Sequence, residues 1–124
     1  MDRKNKGLNH FDENGKAIMV DVGDKPISAR EATASCYVQM LPETLSMIKL
    51  GSSSKGDVLG VARVAGIQGA KKCPDLIPLC HPLPLNAVTI NFVSDSDFNR
   101  LRIEAVCKVS GKTGVEMEAM CAVS

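Results

Sequence analysis

The sequence has few aromatic residues and no excess of charge of either sign. It contains no tryptophan, one tyrosine and three phenylalanines, which are too few to form a base-stacking platform. Its 15 basic and 14 acidic residues give a formal net charge of +1, without the basic excess that is typical of nucleic-acid binders. We therefore expect no nucleic-acid partner.

Long apolar runs are also lacking. No segment approaches the length that would span a bilayer, and the polar start over residues 1–6 shows no secretory signal. These features predict a cytoplasmic protein without a membrane partner. The 124 residues, 44% hydrophobic and 23% charged, suit one globular domain. We expect a flexible or loosely docked arm over residues 1–28 and a single domain over residues 29–124.

The five cysteines include no C-x-x-C pair, so free thiols in a reducing compartment explain them better than disulfides. Cys73, Cys80 and His81 form an alternative, a metal site. Structural zinc sites usually have four ligands at tighter spacing, which disfavours this alternative. The sequence therefore predicts no bound metal and no cofactor.

The first half of the domain predicts a strand followed by two helices. Apolar and polar residues alternate from Thr33 to Met40, as in a half-buried strand. Pro42 and Gly51 bracket a short helix. A second helix is predicted from about Ser54 to Lys72, with an S-x-x-D capping pattern at its start and Pro74 at its end. Its glycines indicate that it packs closely against a neighbour.

The second half predicts a hairpin and a last helix. Alternating apolar residues run over 88–92 and 101–109, with a turn between Ser94 and Asn99. A helix-like run follows Gly114 and reaches Ser124 without a cap. This order predicts an α+β, ferredoxin-like fold, an antiparallel sheet with helices on one face, here without the end of the final helix and the last strand.

Two residues have local surroundings that favour chemistry. Lys55 would lie in the first turn of the second helix, where the macrodipole lowers the proton affinity of a cation. A solvated surface lysine is the alternative. His81 lies between Pro78 and Pro84 on a stiff segment, which suits holding a phosphate or passing a proton. A hydrogen-bonded core histidine remains possible. Lys71 at the helix end is explained by the dipole alone.

A glycine-rich turn precedes the last helix. Gly111-Lys112-Thr113 is similar to the end of a P-loop, but that motif requires glycine at position 106, where Val106 stands. A weaker anion site at a helix N-terminus remains. Glu116 and Glu118 follow, and they share a side only if the backbone there is extended, because a helix separates them by about 200°.

Five segments of the sequence are distinctive together: Met19–Val22, Lys55–Val58, Ala65–Gln68, Asp75–Pro82 (DLIPLCHP) and Gly111–Ala119 (GKTGVEMEA). They resemble the MoaC family of cyclic pyranopterin monophosphate synthases. The resemblance implies an enzyme that rearranges a cyclised dihydro-GTP to cyclic pyranopterin monophosphate and releases diphosphate. It also implies a homo-hexamer, a trimer of dimers with sites at dimer interfaces.

The resemblance also implies site residues. As catalytic groups it indicates Lys55, Glu116 and Glu118. As substrate-binding groups it indicates Lys71, Leu79, Cys80, His81, Met117 and, less specifically, Arg30. The family carries a catalytic aspartate and a second lysine beyond the position of Ser124. The alternative is therefore a truncated, catalytically silent chain that assembles or binds nucleotide.

Overall fold

A computed structural model describes residues 10–51 and 56–124. Its three strands form one antiparallel sheet in the order β1-β3-β2, with β1 at Ser28–Gln39, β2 at Leu85–Asp95 and β3 at Arg100–Gly111. The helices are α1 (Pro42–Leu50), α2 (Val58–Lys71), α3 (Cys73–Leu76) and α4 (Glu116–Val123). The predicted α+β class is confirmed.

The hairpin is formed by β2 and β3, as the alternating pattern predicted, and a 3-10 turn at Ser96–Phe98 connects them. Asn99 ends this turn in the left-handed conformation, which asparagine tolerates better than most residues. Both strands are longer than predicted. At the start of β2 the register shifts between Leu85 and Ala87, and the Asn86 side chain accepts a hydrogen bond from the Ser110 amide at 2.9 Å.

Strand β1 begins five residues earlier than predicted. Ser28 pairs with Gly111, and the register continues without a shift to Gln39 opposite Arg100. The residues before Thr33 lack the strand-like composition that the prediction used, and pairing with β3 imposes the extended conformation on them. The only strand that neighbours β1 in the described sheet is β3.

Helix α2 starts later than predicted. Its N-cap is Asp57, whose carboxylate accepts a hydrogen bond from the Gly60 amide at 2.9 Å. Gly56 has φ 86°, a left-handed conformation that a helix cannot run through. The prediction that the helix spans Ser54 is therefore wrong. Pro74 was expected to end the helix, but α2 ends at Lys71 and Pro74 lies in the first turn of α3.

The predicted short helix before it is confirmed. Pro42 occupies the first turn of α1, and Gly51 closes the helix with φ 68°. Each helix in residues 10–51 and 56–124 is too short or too polar to traverse a bilayer.

The core lies between the sheet and two helices. Helix α2 packs on α4 and β2, while α4 packs on β1 and β3. Buried side chains in this layer come from all of these elements: Ala70, Ile90, Ala105, Cys107, Val109, Val115, Ala119 and Ala122. Gly66 and Gly69 face α4 so closely that an added Cβ would lie 2.9 Å from the Ala122 oxygen and 3.0 Å from the Cys121 oxygen, respectively. The predicted close packing of α2 is confirmed.

Candidate active site

The segment between α3 and β2 carries the first part of the candidate site. Pro78, Pro82 and Pro84 keep this segment out of regular structure. Leu79 has φ 67°, a conformation uncommon for a residue with a branched side chain. Such strain concentrates at functional sites. The bend at Leu79 precedes Cys80 and His81, which are both half-buried.

Helix α4 carries the second part. The helix begins at Glu116, so the condition under which Glu116 and Glu118 would share a side is not met. Glu116 and Met117 are exposed, whereas Glu118 is only 2% exposed. Val115, Ala119 and Ala122 are buried with it, at the spacing of one helix face. Of the two predicted catalytic carboxylates, the fold encloses Glu118 and leaves Glu116 at the surface.

The two parts meet at Cys80 and Glu118. The Cys80 thiol donates to Glu118 Oε2 at 3.7 Å, and Cys80 Sγ lies 3.5 Å from Cys73 Sγ. Cys73 is fully buried as the first residue of α3. The fold therefore brings the DLIPLCHP and GKTGVEMEA segments together through side-chain contact, although 38 positions separate the two contacting residues.

Thiols lie around the Glu118 carboxylate, and both burial and the Glu118 charge raise their pKa values. Burial raises the pKa of Cys73 strongly, with further increases from the Cys80 hydrogen bond and the Glu118 charge. Burial also raises the pKa of Cys80. On β3, burial and then the Glu118 charge raise the pKa of Cys107 to about 11. All five cysteines are free thiols, as predicted.

Arg30 lies at another corner, beside the turn that leads into α4. Its Nε donates to the Gly111 oxygen at 3.4 Å. Lys112 Nζ donates to the Gly23 oxygen at 3.0 Å and so ties the turn to the segment before β1. Two cations therefore border the start of the helix that carries Glu118, which favours an anion at this corner.

Lys71 lies on a separate groove. It is exposed at the end of α2 and lines, with Ile67 and residues 83–88, an open groove of about 460 Å³. The groove is bounded mainly by apolar side chains, and Cys80 and Glu118 are not among the residues that line it. In the described part of the chain, no hydrogen bond or ion pair joins Lys71 to Cys80 or Glu118.

Lys55 lies outside the described residues. The sequence argument for its lowered proton affinity required a position in the first turn of a helix, but α2 begins at Val58 with Asp57 as its cap. The observed helix start therefore removes the basis for expecting a lowered proton affinity at Lys55. The motif in which Lys55 stands is unaffected.

Cys73, Cys107 and Cys121 were not predicted as neighbours of Glu118. Helical spacing over residues 115–122 would have placed Glu118 on the buried face and Cys121 one turn further along it. The contributions of Cys73 and Cys107 depend on long-range packing and have no local signal. Sequence reasoning identified the chemistry-bearing motifs but not their buried surroundings.

An α+β domain that encloses a carboxylate among thiols, with cations at its border, has the features of a small-molecule enzyme. The model of the MoaC family matches residues 19–124. The chain therefore belongs to the MoaC family.

Relatives with high identity are each named cyclic pyranopterin monophosphate synthase. The protein from Dinoroseobacter shibae is 60% identical over 118 residues, which cover 95% of this chain and 75% of that protein. The protein from Jannaschia sp. is 56% identical over 117 residues, covering 94% and 72% respectively. The protein from Cereibacter sphaeroides is 55% identical over 118 residues, covering 95% and 74%.

Proposed function

We propose that this chain is a cyclic pyranopterin monophosphate synthase, a lyase of molybdenum-cofactor biosynthesis. In this reaction 3',8-cyclo-7,8-dihydro-GTP is rearranged to cyclic pyranopterin monophosphate, and diphosphate leaves. The identity to relatives of that name, over most of the chain, supports the proposal. The observation that carries it is the contact between Cys80 and the buried Glu118, which joins two family motifs at one place.

The substrate is a polyphosphate joined to a heterocycle rich in N–H groups, and it needs two kinds of partner. Arg30, Lys71 and His81 supply positive charge or hydrogen-bond donors for the phosphates. Glu118 supplies an acceptor for N–H groups, and its position out of solvent strengthens that interaction. Cys80 contacts the acceptor, and Leu79 and Met117, which precede Cys80 and Glu118 in the chain, complete the proposed binding residues.

The rearrangement also requires proton transfer. Glu118 is the enclosed carboxylate of the described site, so we assign it to accept or return a proton at the heterocycle. Glu116, exposed at the start of α4, is assigned to the open side of the site. Lys55 is assigned as the second proton-transfer group on the basis of its motif, and no metal or cofactor is assigned to the reaction.

We also propose that the enzyme is a cytoplasmic homo-hexamer, a trimer of dimers. Large apolar side chains are exposed on α1 and α2: Leu50 is 79% exposed, Val61 66% and Val64 68%. Val61 and Val64, three residues apart, lie on the same side of α2, and exposed apolar side chains in such an arrangement favour association between chains. In addition, Lys71 lines a groove that Glu118 does not line, and a site shared between two subunits would allow both to contact one substrate.

The decisive experiment is conversion of the authentic cyclised substrate by this chain, with product and diphosphate quantified. Glu118→Gln should lower turnover by about 100-fold or more, because it removes a proton-transfer group while conserving shape. Glu43→Gln, an exposed carboxylate on α1, is the matched control and should leave turnover unchanged. Turnover of Glu118→Gln close to the unsubstituted rate would refute the assignment.

Two further variants separate binding from chemistry. Lys55→Ala should abolish turnover while equilibrium binding of substrate is largely kept, whereas His81→Ala should weaken binding as well. Mass measurement by light scattering, repeated with Val64→Asp, tests the association of chains. A monomer that converts substrate at the full rate would refute the shared site.

A further inference from the structure

Three potential metal-binding side chains converge beside α4, and a fourth lies next to them. The ligand atoms of Cys73, Cys80 and Glu118 all lie within 4.8 Å of one another. Cys121 is one helical turn beyond Glu118 on α4, and its thiol interacts with that of Cys73. The converging set therefore comprises two thiols and one carboxylate, contributed by α3, the segment after it and α4, and the Cys121 thiol adjoins it at Cys73.

The distances match those between ligands of a tetrahedral metal centre. With metal–sulfur bonds of about 2.3 Å and metal–oxygen bonds of about 2.0 Å, tetrahedral ligands lie roughly 3.5–3.8 Å apart. Cys73 Sγ and Cys80 Sγ are 3.5 Å apart, and Cys80 Sγ and Glu118 Oε2 are 3.7 Å apart. The ligand atoms are thus already close to the positions that a cation would require.

The carboxylate lacks a cationic partner among residues 10–51 and 56–124. Glu118 is 2% exposed, its hydrogen bond there comes from the weak thiol donor of Cys80, and none of the ion pairs in that part of the chain includes it. A buried carboxylate normally has a paired charge or binds a metal, because an isolated one is costly to bury. The arrangement is explained if a divalent cation binds between these groups.

We propose that Cys73, Cys80 and Glu118 bind a thiophilic divalent cation of the Zn²⁺ type, with Cys121 at the fourth position. Sulfur ligands select such a cation over Mg²⁺ or Ca²⁺. Binding replaces the thiol protons, which are released to solvent. This proposal departs from the sequence expectation that no metal is bound. His81, considered there as a ligand, is outside the set, and Glu118 and Cys121 take its place.

The site would have a structural consequence. Cys73 and Cys80 flank the segment that bends at Leu79, and Glu118 and Cys121 lie on α4. A bound cation would fix this segment against α4 more firmly than a thiol–carboxylate hydrogen bond can. It would also compete with any substrate group for Glu118, so metal content would change substrate affinity.

The test uses the whole chain, reduced and stripped of metal with a chelator, then titrated with Zn²⁺ and separately with Co²⁺. We expect one equivalent per chain by elemental analysis and a thiolate-to-cobalt charge-transfer absorption on Co²⁺ binding. Cys80→Ser and Glu118→Gln should weaken Zn²⁺ binding by about tenfold or more. Cys36→Ser is the matched control, because that thiol donates to the Val123 oxygen on another face of α4 and should leave binding unchanged.

Thermal unfolding of each metal-free variant identifies any that fails to fold. Cys73→Ser is a further test variant at a fully buried position, and if it does not fold, Cys80→Ser at a half-buried position replaces it. An unsubstituted chain that shows no saturable Zn²⁺ binding and no charge-transfer band would overturn the proposal. Equal losses in Cys36→Ser and Cys80→Ser would overturn it too. These measurements report metal binding and not turnover. Absence of metal binding would therefore not contradict the proposed reaction, and absence of turnover would not contradict the metal site.

Discussion

Replacement of Gly66 by alanine should destabilise the fold although it improves helix propensity. Gly66 lies in the middle of α2, where alanine is favoured over glycine by about 1 kcal/mol. The added Cβ would, however, collide with Ile90 Cδ1 and lie 2.9 Å from the Ala122 backbone oxygen. Ile90 can rotate away, but the backbone of α4 cannot. Overpacking of this kind costs about 1–3 kcal/mol.

The two effects oppose each other, and we expect packing to prevail with a net loss of about 1 kcal/mol in the free energy of unfolding. For a chain of this size that corresponds to a fall in Tm of roughly 4 °C. The measurement is chemical denaturation with a thermal scan beside it. A matched control is Gln68→Ala, an exposed position on the same helix, which should change stability by less than about 0.5 kcal/mol.

A Gly66→Ala protein as stable as the unsubstituted chain would show that the packing cost does not exceed the gain in helix propensity, and would contradict the prediction. A stability gain near 1 kcal/mol would mean that helix propensity alone determines the effect.

Three further predictions concern other parts of the fold. Asp57→Ala should cost about 1 kcal/mol in denaturation, because the Gly60 amide loses its cap, and Asp57→Asn should restore most of it; equal losses would refute capping. Arg100→Lys should cost about 1 kcal/mol, because the guanidinium stacks 3.9 Å from the Tyr37 ring centroid, and Tyr37→Leu should reduce that difference to the part due to Phe98 and Asp95. With a chelator present, the free energy of unfolding should fall as pH rises from 9.0 to about 11. Over this range the Cys107 thiol stays protonated in the folded state but loses its proton in the unfolded state, because its pKa is higher in the folded state. Cys107→Ala should flatten that fall, and an unchanged slope would contradict the assignment.

The hairpin and α1 were predictable because their signals are local. Alternation fixed the faces of β2 and β3, and Pro42 and Gly51 marked the ends of α1. The start of α2 was misplaced because Ser54 and Asp57 both suit an N-cap, and the left-handed Gly56 between them decides in favour of Asp57. The extension of β1 to Ser28 arises from pairing with β3, which has no local signature.

For the site, the motifs were visible and their relation was not. The DLIPLCHP and GKTGVEMEA segments carried the resemblance, but the contact between Cys80 and Glu118 depends on how α4 docks. Glu116 is exposed and Glu118 is buried because α4 starts at Glu116. After a glycine-rich turn the sequence does not define such a helix start to better than a few residues. The cluster of thiols around Glu118 required the tertiary structure.

The sheet order has a consequence for the route by which this chain folds. Strands β2 and β3 are joined by a short turn, with Asp95 opposite Arg100, so their pairing closes a small loop. Strand β1 pairs with the same β3, with Gln39 opposite Arg100, although α1, α2, α3 and β2 separate these two strands along the chain. Because closing a long loop loses more chain entropy than closing a short one, the hairpin should form early and β1 should dock late. Substitutions in β1 should therefore speed unfolding more than they slow folding.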